Sequence, residues 1–333
     1  MTTLLKRPWM SWIRVVVVPI VVMILLAGHF YRSLSALDDL DAGAMIASIP
    51  VWAWCGSGTL YLVGISASAF FWRLLLNGCG HNPPFISTIR AFFVSQAGKY
   101  APGKGLALLI RAALLRTHGV PMTLSLATGI IEVLWTMAVG SLFALTIYTI
   151  LECTGSSSTS ADPWLPFKLL ALTCVTAVPA YPAWSIRLAR ASARKLGLDP
   201  GEFDFRLGWQ SLLAGAAVLA CGWICLTLSL IVLIAGMAPA KAFPLILPAM
   251  AWVPLASVGG FVASTPGGIG VREYLIEQAL LPHLGANQAL LAALLLRLIW
   301  TVAEAVAALV LWLGWRDSVP MQVQHSNPAD QKS

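Results

Sequence analysis

The chain is 333 residues long, 58% hydrophobic and 11% charged, with a mean hydropathy of +0.80. Soluble domains carry about 25% charged residues, so this composition excludes a soluble globular protein and points to an integral membrane protein. The apolar runs are long and unbroken, whereas a membrane barrel would alternate over about ten residues; the expected class is therefore all-α and polytopic. The formal net charge of +7 lies in loops beside apolar segments, where the positive-inside rule and anionic lipid explain it without nucleic acid.

Residues 1–11 are a basic start, with Lys6 and Arg7, and the apolar run 12–31 is long enough to span as an uncleaved anchor. An acidic loop with Asp38, Asp39 and Asp41 follows, which places the N-terminus in the cytoplasm. The run 45–76 returns, with Trp52 and Trp54 expected at one interface and Trp72 at the other, as an aromatic belt. Residues 83–116 then contain the first Pro-Gly break, KYAPGKGLALLIR, and neither half of that segment is long enough to span comfortably.

The run 124–151 carries a single acid, Glu132, and leads to a connection, 154–163, without Lys or Arg, expected outside. Residues 165–184 cross back to the most basic loop, with Arg187, Arg190, Arg194, Lys195 and Arg206. In 207–236, Gly208, Gly215 and Gly222 repeat every seven residues, a seam that lets another helix approach closely. The second break, STPGGIGVREYLIEQ, lies within 243–281, and 288–315 ends at the cytoplasmic Arg316. The tail 317–333 is polar and expected to be disordered.

These segments make one transmembrane domain, 12–316, in two halves, 12–151 and 164–316. If both breaks are re-entrant hairpins there are six full spans; if both separate full spans there are eight. Either count leaves both termini in the cytoplasm, and the first suggests an inverted repeat. The expected location is the cell's inner (plasma) membrane.

Irregular backbone at membrane depth is tolerated only where protein buries it or a cavity lines it. Pro102, Gly103 and Gly105 make the first break, and Pro266, Gly267, Gly268 and Gly270 the second. Charged side chains within membrane segments are costly and mark function by default. The first segment holds Arg90, Lys99, Lys104 and Arg111, and Lys104 and Arg111, seven apart, share a helix face. Cations facing a cavity suit an anion such as a phosphate, so Lys99, Lys104, Arg111 and Arg272 are the candidate headgroup ligands. Arg90 and Arg116 read instead as side chains snorkelling to the headgroups.

Glu132 reads as the neutraliser of Arg111 or Lys104, with a proton carrier as the alternative. Glu273 and Glu277, one turn apart, face a cavity together or pair with first-segment cations, and Arg297 and Glu304 share a face of the last helix. These five are candidate gating or charge-balancing residues. The six cysteines, Cys221 and Cys225 included, read as packing residues, and the histidines form no catalytic set; neither a metal nor a cofactor is expected.

KYAPGKG followed by Arg111, Glu132 in the next span, and then TPGGIGVRE resemble the lysylphosphatidylglycerol synthase transmembrane region, also described as flippase-like, over roughly residues 10–315. The resemblance implies a domain that moves or shields an amphiphilic lipid, such as an aminoacylated phospholipid or a polyprenyl-linked sugar. It carries over Lys104, Arg111, Glu132, Arg272 and Glu273. Full-length synthases of that family add a soluble aminoacyl-transferase domain, and no segment here reads as one, so lipid aminoacylation by this chain is not expected. The expected partners are membrane lipids and a lipid-modifying enzyme or glycosyltransferase. The alternative is an accessory or transferase component of lipid-linked glycan or hopanoid synthesis.

Overall fold

The computed structural model describes residues 42–100, 105–154, 208–263 and 265–314, with isolated helical positions between 170 and 194. The expected segment 12–31 and the polar tail lie outside the described residues, as do 165–184 and the basic loop after 184 except for those isolated positions. Everything regular that is described is helical. Apolar side chains surround most of these helices on every side, as helices dissolved in lipid or buried in a bundle require.

A short helix α1 (Ala42–Ser48) stops at Pro50, which cannot donate to a continuing helix and instead opens α2 (Val51–Gly78). The two short helices α3 (Phe85–Ser95) and α4 (Gly105–Arg116) pack against each other on either side of the first break. Then come α5 (Met122–Cys153) and α6 (Trp209–Met237). The helix α7 (Pro239–Val262) includes one 3-10 turn, Phe243–Leu245, and tolerates Pro254 in its interior. After the second break come α8 (Val271–Leu284) and α9 (Ala286–Gly314). Among the described residues, α2, α5, α6, α7 and α9 are long and apolar enough to cross a membrane.

The arms of the two breaks differ in length. The first break joins helices of 11 and 12 residues. The second joins the 24 residues of α7 to the 14 of α8. The helix α7 starts earlier than the apolar run because Pro239 sits in its first turn, where a missing N–H costs nothing.

The most extensive helix contact is between α2 and α6. A Cβ on Gly222 would lie 2.8 Å from the Ala67 Cβ and 2.8 Å from the Gly64 carbonyl oxygen, and one on Gly215 would enter the Phe71 ring at 2.3 Å. Two of the three seam glycines therefore bring α6 against α2, whereas Gly208 has open space beside it.

Polar side chains fasten this pair to its neighbours. The Ser57 and Ser229 hydroxyls lie 2.9 Å apart, and the Trp300 indole N–H donates to Ser229 Oγ at 2.9 Å. Trp72 corrects an expectation: it is fully buried and donates to Thr128 Oγ1 at 3.0 Å, so it belongs to the core and not to an interfacial belt. Trp52, 55% exposed, stays on the outside.

Candidate functional site

The first break runs from the 3-10 turn Gln96–Tyr100 towards α4, and the second contains the 3-10 turn Pro266–Gly268. These two turns touch each other. Beside them lies a cavity of about 490 Å³, lined by residues from α2 to α8. Lys99, Gly105, Arg111, Glu132, Gly267, Gly268 and Arg272 all face it. Residues as distant in the chain as Lys99 and Arg272 thus share one internal space, within the size range of sites that hold a small ligand.

The second break owes its shape to glycine. Gly267, Gly268 and Gly270 have φ of 60°, 73° and 86°, a region that L side chains rarely adopt. Gly270 then starts α8, and its N–H donates to Glu273 Oε2 at 2.7 Å, so the first-turn carboxylate caps its own helix. The backbone bends so tightly against α7 that a Cβ on Gly260 would lie 3.3 Å from the Gly268 Cα.

Arg111 is buried, 4% exposed, in the middle of α4. Its Nη1 donates to Glu132 Oε2 at 2.9 Å and its Nε to Ser95 Oγ at 3.3 Å. The guanidinium also lies 4.8 Å from the Trp72 ring centre and 4.4 Å from that of Phe92. Thr136 Oγ1 donates to the other Glu132 oxygen at 3.3 Å. A charge paired with a carboxylate, a hydroxyl and two aromatic rings serves the bundle first.

Lys99 pairs with Glu304 of α9, and the Tyr61 hydroxyl donates to the same carboxylate oxygen. Tyr61 in turn stacks on Trp300, with ring centres 4.6 Å apart and planes 16° from parallel. Arg297 reaches the second break. Its Nε lies 3.2 Å from Glu273 Oε1, and its Nη2 donates to the Gly267 carbonyl at 3.0 Å, tying α9 to the second break. Glu277 is buried within α8, 5% exposed. Glu273 thus binds its own helix and α9, and Glu304 of α9 meets the first-break cation Lys99. Pro102, Gly103 and Lys104 lie outside the described residues, and Pro266 opens the second turn.

Sequence reasoning missed Tyr61, Trp300, Ser257 and Thr265. One signal pointed to Trp300: it lies between Arg297 and Glu304 at helical spacing, so the three share a face of α9. Nothing in the sequence marks Tyr61, a lone phenol in an apolar helix.

The arrangement defines a helical membrane protein whose irregular backbone and buried charges converge on an internal cavity. Residues 11–308 match the lysylphosphatidylglycerol synthase TM region, and the chain belongs to that family. Its function is accordingly tied to membrane lipid. No curated protein matches the chain as a relative.

Proposed function

We propose that the chain binds an amphiphilic lipid with an anionic headgroup in this cavity and carries it between leaflets. The observation that carries this reading is the convergence of both Pro-Gly breaks, each with cations, on one space inside an apolar bundle. A polar headgroup crossing a bilayer needs such a path, and Lys99, Arg111 and Arg272 bias it towards anions.

In this reading the first break is re-entrant. Its helices of 11 and 12 residues rise about 17–18 Å, roughly half of the ~30 Å hydrocarbon core. Both termini face the cytoplasm and the membrane is the plasma membrane, following the distribution of Lys and Arg. Arg297, Glu273 and Glu277 brace the second break, while the Lys99–Glu304 pair joins the breaks to α9 and is the contact that parts when the cavity opens.

The test is translocation by the purified full chain in vesicles, followed as chemical bleaching of fluorescent lipid from the inner leaflet. Protein-dependent loss of the protected signal is expected for anionic lipids. Rates equal to protein-free vesicles for phosphatidylglycerol, aminoacylated phosphatidylglycerol and polyprenyl phosphates alike would sink the proposal.

A further inference from the structure

Arg272 differs from the other cations around the cavity. Glu132 is taken by Arg111 and Thr136, Glu304 by Lys99 and Tyr61, and Glu273 by Arg297 and the Gly270 N–H. Arg272 makes no hydrogen bond or ion pair among the described residues. Its Nε is buried without a partner, and its guanidinium lies 5.2 Å from the Trp300 ring centre.

Two hydroxyls of α7 and the second break are in the same condition. Ser257, 2% exposed, lines the same cavity from α7, and its Oγ has no partner. Thr265, fully buried in the break itself, has an unpartnered Oγ1. Gly260, one turn after Ser257 on α7, brings that helix against the second break and Arg272: a Cβ there would lie 3.4 Å from the Gly268 carbonyl oxygen and 3.6 Å from the Arg272 Cβ. Buried donors without acceptors are costly, and an arginine with two hydroxyls is a donor set awaiting oxygens. The planar guanidinium matches a phosphate by two parallel N–H···O bonds.

We infer that Arg272 and Ser257, with Thr265 behind them, form an oxyanion subsite for a phosphate group at the second break. This rests on the reading of the cavity as a lipid site and names its headgroup contact. The first-break cations Lys99 and Arg111, already paired, shape the space around it.

The test measures dissociation constants for the full chain in detergent with dioctanoyl phosphatidylglycerol, inorganic phosphate and dioctanoylglycerol. Phosphatidylglycerol is expected to bind at least about tenfold more tightly than the phosphate-free diacylglycerol, and Arg272→Gln to lose roughly that tenfold. Arg272→Lys is expected to retain part of the affinity and Ser257→Ala to lose a smaller part. If inorganic phosphate binds in the same Arg272-dependent way, the subsite takes a free oxyanion; if only the lipid does, it takes a headgroup.

Unchanged affinity for phosphatidylglycerol in Arg272→Gln overturns the inference. If that variant fails to fold, unchanged affinity in both Arg272→Lys and Ser257→Ala does so. Arg272-dependent binding without translocation in vesicles would remove the transport reading and leave the subsite standing. Translocation with unchanged affinity in the variants would do the reverse.

Discussion

A guanidinium in the middle of a membrane bundle is tolerable for Arg111 because a carboxylate, a hydroxyl and two aromatic rings share it. Removing either member of the pair leaves a buried, uncompensated charge, a change that costs about 3–5 kcal/mol. Arg111→Gln and Glu132→Gln are each expected to lower the thermal midpoint of the detergent-solubilised protein well below wild type. Arg111→Met combined with Glu132→Leu is expected to recover most of the loss, since no charge is then stranded. A double variant no more stable than the singles would show that the pair does more than neutralise. The sequence held this pair in outline, because Glu132 is the lone acid of its span and the nearest acid after Arg111. It held nothing comparable for Lys99, whose partner Glu304 lies 205 residues away, since loops and helix order decide which distant charges meet.

At the scale of elements, the α2–α6 contact depends on missing side chains. Helices in lipid gain little from hydrophobic burial against each other, so close backbone approach through small residues supplies the attraction. Gly222→Val would push a branched side chain into the Gly64 carbonyl and the Ala67 methyl, an overpacking of the kind that costs about 1–3 kcal/mol. The expected outcome is a lower thermal midpoint, whereas Gly208→Val, with open space around it, is expected to leave stability near wild type. Equal effects at the two positions would contradict the packing account. The seven-residue glycine spacing was readable without coordinates; that only two of the three glycines meet α2 depends on where the helices diverge. The helix α7 begins before the run 243–281 for a related reason: Lys241 sits within its first turn, where its Nζ reaches out to donate to the His283 carbonyl at 2.8 Å.

At the scale of the whole molecule, the two breaks were visible as composition, but their convergence was not, because a one-dimensional pattern says nothing about which interruptions share a space. The charge pattern does carry a prediction about how the bundle sits. Arg73 lies near the C-terminal end of α2, and the connection after α5, 154–163, has no Lys or Arg. A re-entrant first break leaves the intervening chain on one side, so the end of α2 and the end of α5 must face opposite compartments. Two native thiols report on this: Cys79 follows α2, and the exposed Cys153 closes α5. With the other cysteines replaced by alanine, a membrane-impermeant maleimide is expected to label Cys153 in intact cells and Cys79 only in inverted vesicles. Labelling of both from the same side would require the hairpin, with its helices of 11 and 12 residues, to cross once, which would dismantle the re-entrant reading. Labelling of each from the wrong side would keep the architecture and invert the orientation, placing the mouth of the first break outside the cell.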